Sequence, residues 1–195
     1  MMRQRILPLL LATSAMVSPA HAQQRSTAMV LTIPAWPDGG PIPAKYTQAG
    51  EQVSPPLQWT NVPAGTQSFV VNMLDPDVAI QRGTETQPHW IVWNIPGSAT
   101  GLAEGMRAGA QLDDGSRQIS ASGPQYRGPG APASGPLHHY TFEVYALDTK
   151  LDAVEPSTAT QAVAAALETR AAVMKAMQGH VLGKAVYVGL FHRPQ

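Results

Sequence analysis

Apolar residues gather into short runs in which one side chain in two can face a common core. Ser68 to Leu74 is the clearest, reading Phe69-Val70-Val71-Asn72-Met73-Leu74 before the turn residues Asp75-Pro76-Asp77. Such a run predicts a strand. His89 to Ile95, Tyr140 to Leu147 and Ala185 to Phe191 have the same aromatic and β-branched character and predict three more. Val53 to Trp59 is expected to be extended, because a residue preceding proline is pushed out of the helical region. Pro63-Ala64-Gly65 reads as a turn, Ala35 to Tyr46 as a Pro/Gly-rich loop, and residues 23–30 as a flexible lead. Gly123 to Pro136 reads as an ordered loop between strands. A helical period occurs once, over Ala159 to Gln178, where Val163, Leu167, Met174 and Met177 share a face. Thr158 or Thr160 would cap its start and Gly179 would end it, and its apolar stripe reads as core packing. Many strands, one late helix and no alternating helices predict a mainly β fold, an antiparallel β-sandwich.

The first residues follow another logic. Met1-Met2-Arg3-Gln4-Arg5 is basic, Ile6 to Val17 is mostly apolar, and Ala20-His21-Ala22 follows. These are the parts of a signal peptide, with cleavage expected after Ala22 and a periplasmic or secreted product. The apolar stretch is about 12 residues and contains Pro8, too short for a span of about 20. No other run approaches that length, so residues 23–195 are expected to form a single domain without a transmembrane segment.

Charge narrows the partners. The chain has 13 basic and 13 acidic residues. Removing Arg3 and Arg5 leaves 11 basic against 13 acidic, a net charge of about −2 with histidine neutral. No Lys/Arg run offers the basic face that nucleic acid requires, and an anionic membrane surface is likewise a poor partner. Cysteine is absent, which excludes disulfides, thiolate metal sites and thiol nucleophiles.

Candidate chemistry lies where strands end. By alternation, Phe69, Val71, Met73 and Asp75 share a face, as do His89, Ile91, Trp93 and Ile95, and His138, Tyr140, Phe142 and Val144. Each set is apolar and ends in a polar group. If the strands of Asp75 and His89 are antiparallel neighbours, those two residues meet on one side of the sheet. His138 could join them, with Tyr140 about 7 Å further along. Imidazoles and a phenol can donate to an anion, glycines of the 123–136 loop let backbone N–H groups approach a ligand, and Asp75 could fix a histidine tautomer. His139 should face the opposite way and His180 reads as a packing residue.

The ordered segments Val53-Ser54-Pro55-Pro56-Leu57-Gln58-Trp59, Val62-Pro63-Ala64-Gly65-Thr66, Asp75-Pro76-Asp77, His89-Trp90-Ile91-Val92-Trp93-Asn94-Ile95-Pro96, Gly130-Ala131-Pro132, Leu137-His138-His139-Tyr140, Ala146-Leu147-Asp148 and Gly179-His180-Val181-Leu182-Gly183 resemble the phosphatidylethanolamine-binding protein family, in its bacterial Raf-kinase-inhibitor-like branch. The resemblance covers about residues 30 to 193. It implies a Greek-key-type β-sandwich with a small anion-accepting pocket near the surface, formed by Asp75, His89, Pro132, His138 and Tyr140 with Gly130 in the loop. Two positions depart from the family's pattern: Ala79 and Ala131 stand where proline is frequent.

Three functions follow in order of preference. The first is a binding protein for a small anionic ligand, a phosphate-type group or phospholipid head group. The second is a protease or kinase inhibitor or signalling protein acting through the pocket rim, with Trp90, Arg127 and the 123–136 loop as contacts. The third is a small hydrolase or metal enzyme. It lacks a Gly-x-Ser-x-Gly elbow, a His-Glu-x-x-His motif and a phosphate loop. A metal set of Asp75, His89 and His138 has no diagnostic spacing, so no metal, cofactor or catalytic residue is assigned.

Overall fold

A computed structural model of the chain describes residues 28–79, 83–160 and 163–195. The expected leader, residues 1–22, lies outside the described residues, as do 161 and 162 near the expected helix start. The elements in chain order are β1 (Val30–Thr32), β2 (Gly40–Pro41), β3 (Leu57–Thr60), β4 (Ser68–Ala79), β5 (Thr86–Pro96), β6 (Gly101–Leu102), β7 (Arg117–Ile119), β8 (His138–Leu147), α1 (Val163–Ala176) and β9 (Val181–Phe191). The four strongest apolar runs form the four long strands. The short β1, β2, β6 and β7 were not expected from pattern, since two or three residues show no period. Val30 belongs to β1, so the flexible lead does not extend through it.

The strands form two sheets, a small one ordered β1-β3-β6 and a large one ordered β2-β9-β8-β4-β5-β7. Within the large sheet, β8 returns beside β4 after β4, β5 and β7 have been laid down in turn, a Greek-key order. The antiparallel expectation needs one correction: β2 runs parallel to β9, with Gly40 opposite Gly189 and Pro41 opposite Leu190. Only a two-residue strand is involved. It is fixed by the Asp38 carboxylate accepting from Val188 N–H at 2.7 Å and by Gly39 N–H donating to Val188 O at 2.9 Å.

Two apolar layers hold the sheets. Leu31, Trp59, Phe69, Val71, Met73, Tyr140, Phe142 and Tyr187 pack between them. Val70, Ile91, Trp93 and Leu147 cover the outer face of the large sheet, under Ala166 and Val173 of α1 and Met177 just beyond it. Of the expected stripe, Met177 is buried and Met174 packs against this layer, while the contact inside the helix shifts to Ala166 and Val173. Val163 and Leu167 are only half-buried, and the small Ala166 sits at the contact. Gly179 follows the helix with φ +83°, a left-handed conformation that glycine adopts without strain.

Strict alternation fails in β5, and that failure shapes the site. Phe69 pairs with Ile95 but Val71 with Val92, and Met73 pairs with Trp90 but Leu74 with Pro88. β5 thus carries an extra residue at each of two places. One bulge contains Asn94, at φ +56°, held by its Nδ2 on Asp152 Oδ1 at 2.9 Å and by Leu151 N–H on its Oδ1 at 2.7 Å. The other lies at His89 and Trp90. Each bulge re-aims the side chains beyond it. Ile91 and Trp93 face the helix, while Trp90, Val92 and Ile95 join the core between the sheets. His89 therefore does not share the face of Ile91 and Trp93, as simple alternation predicts.

Candidate functional site

At one end of the inter-sheet core, β4, β5 and β8 meet the loop that precedes β8. A cavity of about 100 Å³ opens there. It suits a small polar group with a few waters and is far below the roughly 300–1,000 Å³ of drug-sized pockets. Asp75, His89, Gly130, Pro132, His138 and Tyr140 all line it, and Arg127, Gln48, Gln87, Val78 and Ala131 complete its walls. Asp75 and His89 do not sit at strand ends: β4 runs on to Ala79 in an irregular register, and Asp75 lies opposite Gln87.

Asp75 is 2% exposed. Its Oδ2 lies 2.9 Å from His138 Nδ1 and its Oδ1 accepts from Asp77 N–H at 3.1 Å. A carboxylate only accepts, so His138 carries a proton on Nδ1 and presents Nε2 at its free end. The rings of His138 and Tyr140 stack with centroids 6.5 Å apart.

His89 is held differently. Its Nδ1 lies 3.0 Å from the Arg127 carbonyl, and Arg127 N–H returns to His89 O at 3.1 Å. The carbonyl can only accept, so the ring proton is on Nδ1. Burial pushes the imidazole down to about 4, outweighing the upward pull of the Arg127 carbonyl and the Asp75 charge. His89 is neutral at neutral pH, with Nε2 as a lone-pair acceptor. Its ring stands edge-on to Tyr140, with centroids 5.1 Å apart.

The expected anion donors of the loop are committed elsewhere. Gly130 N–H and Ala131 N–H both donate to the Tyr140 hydroxyl, at 3.2 and 3.1 Å. Burial, then the Asp75 charge, raises the Tyr140 phenol well above its ordinary range. Ala131 thereby acquires a purpose, because proline at this position would have no N–H to give. Arg193 braces the same loop, with Nη1 on Gly130 O at 2.8 Å, Nη2 on Gln48 Oε1 at 3.3 Å and its N–H on Ala131 O at 3.0 Å. A Cβ on Gly130 would run into the Gln48 amide and turn it aside from its bond to Gly128 O.

The positive charge of the cavity wall is Arg127, which sequence reasoning placed on the rim as a protein contact. Its Nη1 donates to Ser122 Oγ at 2.7 Å, while its Nε is buried without a partner. Among the described residues no carboxylate lies within 4.0 Å of it. Burial, then the nearby Arg193 cation, lowers its affinity for its proton. The available signal was a lone arginine inside a Gly/Pro loop.

Trp90 is not on the rim. It is fully buried, with Nε1 donating to Gln118 Oε1 at 2.8 Å. His139 is exposed and bonds Asp77, and His180 pairs with Asp148 at the surface rather than packing inside. Asp75, Asp77 and His138 place one ligand atom each within 4.8 Å of one another. His89 is not in that group, and the His138 Nδ1 and Asp77 Oδ2 atoms already bond Asp75 and His139. No helix among the described residues is long and apolar enough to cross a membrane.

A family model described as phosphatidylethanolamine-binding protein matches residues 32–192. A UPF0098 protein of Methanothermobacter thermautotrophicus is 42% identical over 167 residues, covering 85% of this chain and 99% of its own length. A solved phosphatidylethanolamine-binding protein homologue from Chlamydia trachomatis aligns with a TM-score of 0.69 at 32% identity, over 85% of this chain and 98% of that one. A protein of E. coli described as a new member of the mammalian PEBP family shares the fold, with a TM-score of 0.64 at 23% identity, over 86% of this chain and 99% of that one.

Proposed function

The chain belongs to the phosphatidylethanolamine-binding protein family, and from that premise we propose that it binds a small phosphate-type anion, free or as a head group, in the cavity walled by Asp75, His89, Arg127, His138 and Tyr140. One observation carries the reading. A half-buried guanidinium lines a cavity of head-group size and, among the described residues, has no carboxylate within 4.0 Å. A half-buried cation with no counter-charge beside it is partly desolvated without compensation, and an anionic oxygen answers it with a charge-assisted hydrogen bond. The Asp75 carboxylate lines the same cavity but bonds His138 rather than Arg127.

The test is an NMR titration of residues 23–195 with inorganic phosphate, following the imidazole signals of His89 and His138. Saturable shifts confined to those rings and to the 127–132 loop are the expected result. Unchanged spectra at about 10 mM, corresponding to less than about 3 kcal/mol of binding, would remove the reading. Export to the periplasm or medium belongs to the same proposal. Sequencing the N-terminus of the processed protein checks it, with Gln23 expected first.

A further inference from the structure

The hydrogen-bonding inventory of the cavity narrows the anion, building on the reading just given. Arg127 brings its guanidinium to the cavity wall, and Ser122 takes a bond from Nη1 alone. The loop N–H groups that would receive further oxygens, those of Gly130 and Ala131, are taken by Tyr140. His89 presents an acceptor rather than a donor, because its Nδ1–H is held by the Arg127 carbonyl and the buried ring is neutral. His138 is oriented by Asp75 and in its neutral form presents Nε2 in the same way. If protonated it would donate one bond, and His89 would still lack a donor.

An oxyanion with no proton therefore satisfies Arg127 but sets its other oxygens against the lone pair of His89. Sulfate and phosphodiesters are of this kind. Phosphate and phosphomonoesters, whose second ionisation lies near pH 6, bring an acidic O–H of their own. We infer that this pocket selects anions that carry an acidic O–H, namely inorganic phosphate and phosphomonoesters, over phosphodiesters and sulfate. The Arg127 guanidinium holds a charged oxygen and His89 Nε2 accepts the ligand's O–H. A site built to bond a ligand hydroxyl rejects the analogue without it, because a buried polar group is then left unpaired.

The experiment is a four-way NMR titration of the protein at a pH of about 6, near that second ionisation. The probes are inorganic phosphate, O-phosphoethanolamine, glycerophosphoethanolamine and sulfate. The second and third share the amine and differ in the number of phosphate esters. The first two are expected to bind at least about tenfold tighter than the last two. Tighter O-phosphoethanolamine would point to an esterified source and tighter inorganic phosphate to the free ion; both support the inference. Equal affinities for all four would overturn the selection while leaving the anion pocket in place, and no binding by any would overturn both. In a folded His89→Gln variant, whose amide can donate, the preference should shrink to within about threefold. An undiminished preference would overturn the role of His89.

Discussion

His89 turns its burial into a pH dependence. The folded ring is held to about 4, whereas the unfolded ring titrates near 6.5. Between those values the unfolded chain binds more protons, so stability is retained above about 6.5 and falls as pH drops toward about 4, by up to about 3 kcal/mol. Thermal melts from pH 7 to pH 4 should show this slope, and His89→Gln should flatten it. Arg127 makes the opposite kind of contribution, to binding more than to folding. Arg127→Gln is expected to weaken phosphate by at least about tenfold and to leave the melting temperature nearly unchanged, read by titration and melt on the same sample. Tyr140→Phe should lower stability instead. Two backbone donors lose their shared acceptor, at a cost of about 1–3 kcal/mol, seen in denaturant midpoints.

Among the elements, β5 bends the site into being. Asn94 holds the left-handed conformation and ties Asp152 and Leu151 to the strand. Asn94→Ala should cost about 1–3 kcal/mol, because a buried N–H is left unpaired and a non-glycine residue is kept at positive φ; equilibrium unfolding measures it. The same bulges mark the limit of what the sequence made legible. Runs such as Phe69 to Leu74 gave the long strands, and the alternation of His138, Tyr140, Phe142 and Val144 gave the correct buried face. The alternation of His89 with Ile91 and Trp93 did not, since a bulge inserts one residue without changing local composition. His89 was still placed in the cavity, through the family resemblance and the ladder partner expected for Asp75. The loop misled in another way. Its glycines suggested free N–H groups, but donor and acceptor pairings such as Gly130 with Tyr140 leave no trace in sequence. The first half of the helix stripe was misjudged because the large Val163 and Leu167 were assumed to mark the contact, whereas Ala166 does.

At the scale of the molecule, small sheet, large sheet and helix form three layers, and the cavity lies in the layer away from the helix. Stability and binding should therefore separate. Ala166→Leu overfills the contact between α1 and the large sheet and should cost about 1–3 kcal/mol, while phosphate affinity in the folded protein stays unchanged; a joint melt and titration decides it. The brace of Tyr140 and Arg193 on the loop has a kinetic consequence. Each tie joins protein to protein, so the walls hold their shape whatever the solution contains. A ligand then meets a finished socket and gives up little freedom in ordering it. Encounter should set the rate of entry, and ligands should differ in how long they stay.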